Sequence, residues 1–555
     1  MSKSLFLVRL IISIFYRYGT WLIVISITLF GLIFRLYLAW QPIDSMVSRY
    51  LSDDGFYYFQ IARNIAQGVG SSFDGITKTN GYHPLWMLIC VMIFKFVSFS
   101  DINLPIHYIL SIGSLLDTLT GVLLYILLRK STSFLTALTA LIIYLANPIT
   151  ALMANSGVEL PLQMFMIALY VYLLVNAFTF LEEKKILDLA SLLGVGVSAG
   201  LLMLTRTDNI FYIIPSIGYL MLKCQKNLKR RYILILVIPT FMLIPWVLWN
   251  IKTFGTIMQD SGFAIISAIW ARYSFSPLEL FVEYMRMMIG VISYWIPVFS
   301  GGLYAFFLLI GLGVGIFSSN FHLIRKITRT EWALIQSVSL MFSSFLAELL
   351  FHVVFRMSVR PWYVTPFALF ISVFGGLLSH KFLVILKNSK DMGKINPVIV
   401  AMAIVFGLSL LISVVIPNAR YVKIGFWPHG KEMYEMAKIV QEKTPRDAKI
   451  GAFNAGILGY YSSRTIINLD GLVNHEVAKY FYPGGLIEYL QRHQIDYIVD
   501  DPITIEFYDP FLKCTEQSLY CVDIEIIEEL KVFHSFWSTP GIRLLKLNIY
   551  KRKQN

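Results

Sequence analysis

Apolar stretches, most of them about 17 to 25 residues long, recur from Trp21 to Ile416, and that length matches a hydrocarbon core of roughly 30 Å. They fall at 20–40, 106–128, 132–153, 160–181, 188–204, 210–222, 232–250, 287–318, 332–355, 362–380 and 397–416, about eleven spans in all. In lipid a segment must satisfy its own backbone hydrogen bonds, so the pattern predicts a polytopic α-helical membrane protein. The composition agrees, because 57% hydrophobic and 15% charged residues over 555 positions exceed what a soluble core buries.

Charge divides the chain in two. From Asn418 onward 17 Lys+Arg stand against 17 Asp+Glu, so the net +13 belongs to the first 417 residues, with 30 basic against 17 acidic. The basic residues cluster at Lys3, Arg9 and Arg17, at Arg129/Lys130, at Lys184/Lys185, and in the stretches 223–231, 325–329 and 381–394. Placed on the cytoplasmic side, these loops orient the bundle and put the amino terminus inside, and the odd span count puts residues 418–555 outside. The excess is thus a topology signal and gives no support to nucleic-acid binding. The segment 84–99 is apolar but short and carries Lys95, so it reads as an interfacial helix. The first span reads as a retained anchor, with no small-residue cleavage site behind it. Outside then lie a first loop (41–105), a loop at 251–286, the turns near Glu159, Arg206 and Arg356/Arg360, and the final domain. Cys514 and Cys521 in that domain fit either a disulfide or a free buried pair, and no metal-ligand spacing stands out.

The first loop contains "LSDDGFYYFQIARNIAQGVG". Ser52 fits an N-cap, Asp53 and Asp54 occupy the first turn where the helix dipole favours anions, and Tyr57, Tyr58, Ile61 and Ile65 repeat at helical spacing until Gly68 and Gly70. The spacing predicts an amphipathic helix lying on the outer membrane face. The two aspartates are good first-turn residues, and also two of the few acids outside the membrane, beside aromatic residues suited to the headgroup layer.

This stretch, followed by "FDG" and "TNGYHPLW", resembles the first external loop of C-type glycosyltransferases, the integral-membrane enzymes that use polyprenyl-phosphate sugars. Among them are bacterial arabinosyl- and mannosyltransferases and the protein mannosyltransferases. "NSGVEL" (155–160), "LLMLTRTDN" (201–209), "NIKTFGTIMQDSG" (250–262) and "GAFNAGILGYYSSRTIINLDGLVN" (451–474) resemble later family segments in order. The resemblance implies transfer of one sugar from a polyprenyl-phosphate donor to a hydroxyl, with inversion, on the outer face of the bacterial inner membrane. A carboxylate base must activate the hydroxyl, and Asp53 is its first candidate and Asp54 its second. Cations must meet the leaving phosphate: Arg206, Arg356 and Arg360 are candidates, with His83 and Lys78 on the first loop. Arg206 can instead pair with Asp208, Arg356 with Glu348, and His83 can simply pack its loop. Glu159, Tyr57 and Tyr82 are substrate-binding candidates, and capping the next helix is the other reading of Glu159. No cofactor is called for, and a divalent cation at the aspartate pair is left open. Asp117 lies mid-span and needs a partner.

The final domain alternates helical patterns (431–443, 486–493) with β-rich runs "KIGAF", "TIINL" and "DYIVDD", which predicts an α/β module. It lacks a nucleotide-phosphate loop, and the resemblance gives it a part in acceptor recognition. A ligase for lipid-linked glycans is the alternative within the family. A transporter or flippase with Asp53, Asp117 and Glu348 along its path is the alternative outside it, but no internal repeat is apparent.

Overall fold

The computed structural model describes residues 2–97, 101–184, 186–223, 232–273, 276–292, 328–356, 359–388, 422–423, 425–427, 429–516, 518–531 and 541–552. The expected spans 287–318 and 397–416 lie largely or wholly outside these residues. The helices of six residues or more are α1 (Ser2–Ala39), α2 (Asp53–Ala66), α3 (Pro84–Phe96), α4 (Leu104–Ser131), α5 (Phe134–Ala146), α6 (Pro148–Ala154), α7 (Leu160–Lys184), α8 (Leu189–Thr205) and α9 (Ile210–Lys223). They continue with α10 (Leu234–Phe254), α11 (Ala264–Arg272), α12 (Pro277–Gly290), α13 (Arg329–Arg356) and α14 (Phe367–Asn388). Beyond them come α15 (Gly430–Lys443), α16 (Gly456–Tyr461), α17 (Gly485–His493) and α18 (Pro502–Leu512).

Five of the described helices, α1, α4, α7, α10 and α13, are long and apolar enough to cross a membrane, and α5 with α6 makes a sixth if the bent pair is one span. The expected segments at 188–204 and 210–222 are helical but shorter, with 17 and 14 residues in α8 and α9. The 13 residues of α3 reach only about 20 Å, too short to cross. In the bundle α4 packs against α1, α5 and α7, while α8 packs against α7 and α10.

Asp117, in α4, has the partner its position demands. Its carboxylate accepts from Arg35 Nε at 2.5 Å and from the Tyr144 hydroxyl at 2.6 Å. The same guanidinium donates to the carbonyls of Gly31 and Leu145 and to Thr150 Oγ1. Leu145 sits one residue before the end of α5, where the chain bends by 59° into α6; the amide four residues on, that of Ile149, turns to Asn147 Oδ1 and leaves the Leu145 carbonyl without its helical donor. Arg35 therefore serves the break as well as the charge.

The final domain is built on a five-stranded sheet in the order β2-β1-β3-β5-β4. β1 (Lys449–Ala452), β2 (Thr465–Asn468) and β3 (Tyr497–Asp500) are parallel, and β4 (Tyr520–Leu530) and β5 (Ile542–Lys551) form an antiparallel hairpin on the β3 side. Successive strand residues point to opposite faces: Ile466, Val499 and Leu544 join the core shared with α15, α16 and the bundle, while Ile467, Ile498 and Leu545 pack with α17 and α18. Cys514 and Cys521 form a disulfide.

The helix α2 begins where the sequence placed it. Ser52 Oγ accepts from Gly55 N and also donates to the Ser156 carbonyl, which ties the cap to the α6–α7 turn. Its setting differs from the interfacial one expected. Phe56, Phe59, Ile61 and Ala62 are fully buried, and Phe56 meets Tyr460 and Tyr461 of α16 at ring distances of 5.7 and 5.5 Å. The sheet domain covers the face expected to touch headgroups.

Replacing Asp117 with leucine strands the buried Arg35 guanidinium and should cost about 3 kcal/mol. Thermal unfolding in detergent should show a clear drop in midpoint, and a wild-type midpoint would contradict the account of this pair.

Candidate functional site

A cavity of about 490 Å³ lies between the bundle and the sheet domain. Asp53, Asp54, Tyr57, Tyr82, His83, Glu159, Arg206 and Arg360 all reach its lining, from segments more than 300 residues apart in sequence. Lys78 does not: it is exposed on a small β-bridge with Ser72, outside the lining. The side chain of Arg356 lies outside the described residues.

The two aspartates have separate surroundings. Asp53 is held at both oxygens by the sheet domain, accepting from Gly456 N at 2.9 Å and Ile457 N at 2.7 Å. Gly456 is required there, because a Cβ would fall 2.1 Å from the Asp53 carbonyl oxygen. Asp54 has no hydrogen-bond partner among the described residues and faces the cavity. Burial pushes Asp54 up to about 7; the Asp53 carboxylate adds to the rise and the Arg360 guanidinium opposes it. Burial lifts Asp53 to about 6 against the two amides that hold it. A third acid, Asp470, follows β2 and is pushed up to about 7 by burial, against the Leu472 amide and the Asn468 side chain.

The opposite wall is an ordered ion-pair chain. Arg206 forks onto Asp208, with Nε–Oδ1 at 3.0 Å and Nη2–Oδ2 at 2.6 Å, and its third donor meets Glu159 Oε1. Glu159 also accepts from the Tyr58 hydroxyl at 2.7 Å and stands 3.6 Å from His83 Nε2. Burial raises its carboxyl, yet His83 and Arg206 outweigh burial and hold it below the usual carboxylate range. Arg206 is thus already shared between two carboxylates. Arg360 is different: it is exposed, sits at the head of a short turn (Pro361–Val364), and has no ion-pair partner within 4 Å among the described residues. Trp362 and Trp427 border the cavity with it, their rings 5.9 Å apart.

The "TNGYHP" segment is held by the end of α10 and the turn that follows it. Asn80 contacts Asn250 and the Asp260 amide, and His83 Nδ1 lies 3.1 Å from Gln259 Nε2. The Tyr57 hydroxyl accepts from Ala455 N and bonds the Phe453 carbonyl, so it reaches the same sheet-domain turn as Asp53. Tyr82 bonds Ser71 and meets Trp246. Sequence reasoning assigned no role to Asp470, Gln259, Trp427 or Tyr508, although "NLDGLVN" contains the first of these in an Asp-Gly turn.

Residues 83–249 match the family model described as dolichyl-phosphate-mannose-protein mannosyltransferase, and residues 422–540 match one described as a domain of unknown function. No curated protein matches the chain. Among solved structures, the Archaeoglobus fulgidus oligosaccharyltransferase tethered to an acceptor peptide with the NVT sequon superposes with a TM-score of 0.56 at 13% identity, over 89% of this chain and 70% of that one. ArnT from Cupriavidus metallidurans bound to undecaprenyl phosphate gives 0.52 at 13%, over 95% and 98%. This chain has the C-type glycosyltransferase fold. The Archaeoglobus fulgidus enzyme AglB, in complex with an inhibitory peptide and a dolichol-phosphate, shares that fold at a TM-score of 0.55 and 12% identity, over 89% of this chain and 70% of that one.

Gly456→Ala should force α16 away from Asp53. Hydrogen exchange of the α2 amides is then expected to speed up while the parallel strands keep their protection; unchanged α2 exchange would show that the contact does not hold the domains together.

Proposed function

We propose that this chain transfers a single sugar from a polyprenyl-phosphate donor to a hydroxyl acceptor, with Asp54 as general base and Arg360 as the cation that meets the leaving phosphate. The reading rests on one juxtaposition: a carboxylate with no hydrogen-bond partner and an arginine with no ion-pair partner, among the described residues, line one cavity. Asp53, the first candidate from sequence, has both oxygens taken up by backbone amides and acts here as the anchor of the sheet domain. Arg206, already forked onto Asp208, orders Glu159 and His83.

In this scheme Asp54 takes the acceptor hydroxyl proton as that oxygen attacks the sugar C1. The bond from C1 to the phosphate oxygen breaks, and the departing polyprenyl phosphate carries its electron pair onto an oxygen held by the Arg360 fork. A single displacement inverts the anomeric centre. The division into a membrane module (1–417) and an outer domain (418–555), on the outer face of a bacterial inner membrane, completes the proposal. The contacts of the sheet domain with α2 support one side for both. The likeness to an oligosaccharyltransferase favours, as a second reading, transfer of a whole lipid-linked glycan, which the choice of donor would reveal.

Sugar release from radiolabelled polyprenyl-phosphate donors by the purified full chain tests this reading, with crude membranes as acceptor. Asp54→Asn should lower transfer by about 10²-fold or more with donor binding retained; full activity in that variant, or no transfer from any sugar lipid, would end it. The base works only when deprotonated, so transfer should fall as pH drops through about 7. Arg360→Ala removes the charge that stabilises the carboxylate, so the acid limb should move to higher pH; a limb that stays put would separate Arg360 from Asp54.

A further inference from the structure

Behind the Arg206 wall lies a group of side chains that the proposed transfer does not use. Glu348 and His352 are four residues apart on α13 and so share one face, and Asp208 in the 207–209 turn meets them. One ligand atom from each of the three lies within 4.8 Å of the others. Glu348 and His352 are buried, at 1% and 0% exposure, yet Glu348 Oε2 and both ring nitrogens of His352 have no hydrogen-bond partner among the described residues. His352 Nε2 stands 3.3 Å from Asp208 Oδ2, out of line for a hydrogen bond, and 3.8 Å from Glu348 Oε1, too far for one. Ligands bound at about 2.0–2.1 Å around a tetrahedral centre are separated by about 3.3 Å, so the first spacing is that of two atoms sharing an ion. The imidazole plane is fixed by stacking on Tyr363 at 3.7 Å.

Charge counting leads to the same place. Glu159, Asp208 and Glu348 are all buried, and Arg206 is the one permanently charged cation that pairs with them among the described residues. His83 and Arg206 answer Glu159, and Arg206 is shared with Asp208, so Glu348 and part of Asp208 still lack a cation; a divalent ion beside a neutral His352 imidazole supplies it, whereas unanswered buried negative charge is strongly unfavourable.

We propose that Asp208, Glu348 and His352 form a binding site for a divalent metal ion, of the zinc class by its mixed imidazole and carboxylate donors. Asp208 keeps a lone pair on Oδ2 for the ion while Arg206 orients it from behind, the usual arrangement of an outer partner on a ligating carboxylate. Such an ion clamps the α8–α9 turn to α13, and through Arg206 it fixes the Glu159 and His83 side of the cavity. Its role is positioning, and it stands apart from the proposed base.

The full chain in detergent, stripped with chelator and reloaded with zinc, should retain about one ion per molecule after gel filtration. X-ray absorption at the zinc edge should show the scattering of a single imidazole among oxygen donors. Glu348→Gln and His352→Gln should each lose the ion while remaining monodisperse, and stripping should lower the thermal midpoint of the wild type but not of the variants. Wild type that holds no zinc on reloading, zinc retained in both variants, or an absorption spectrum without imidazole would each overturn the proposal. In those cases a protonated His352 paired with the two acids becomes the account of the cluster. The absorption measurement uses wild type alone, so it decides the matter even where a variant fails to fold.

Discussion

Two backbone amides of the sheet domain end on the carboxylate of Asp53, and this contact joins the two sides of the cavity. The first turn of α2 presents Asp53 upward, and the first turn of α16 presents its unsatisfied N–H groups downward, so each helix start supplies what the other lacks. Neighbouring residues on a helix diverge by about 100°. With Asp53 fixed to the sheet domain, Asp54 is turned into the space beneath it. Adjacent, chemically identical residues are thereby given unlike surroundings: one is saturated with donors and the other is left facing the cavity beside Arg360.

The cavity is electrostatically lopsided. On the bundle side, Arg206 stands between Glu159 and Asp208, so its donors are already engaged by two carboxylates. On the sheet-domain side, Asp53, Asp54 and Asp470 crowd together with raised proton affinities, and the Arg360 guanidinium opposes the rise at Asp54. Under the proposed function the leaving phosphate meets Arg360, which among the described arginines of the cavity lining is the one without an ion-pair partner.

Local features were legible in the sequence. Ser52 as cap, the end of α2 just before Gly68, the helices at 430–443 and 485–493, and the strands in "KIGAF", "TIINL" and "DYIVDD" all follow from capping chemistry and periodicity. What the sequence does not reveal is which surface an apolar face meets. Phe56 and Phe59 fit equally well against lipid headgroups or against Tyr460, and only the folded chain brings the latter across about 400 positions. The hairpin β4–β5 carried an alternating signal, Val522, Ile524 and Ile526 between acids, that was not assigned to strands from sequence. Arg206 illustrates a subtler limit. Its neighbour Asp208 was visible two residues on, but its second carboxylate, Glu159, comes from a different helix start. The same holds for His352, which carried no signal until the 207–209 turn was placed against α13.

The Arg35–Asp117 pair has a meaning for how the bundle is put together. Its guanidinium answers one carboxylate, one hydroxyl and the carbonyl left open at the α5–α6 bend, all from separate helices. If α1 slid along its neighbours by one turn, about 5.4 Å, every one of these would be abandoned in lipid at once. Apolar helices slide past each other at little cost, since one ridge of leucines resembles the next. A single arginine at this depth works as a notch that gives the first helix only one resting height against the rest.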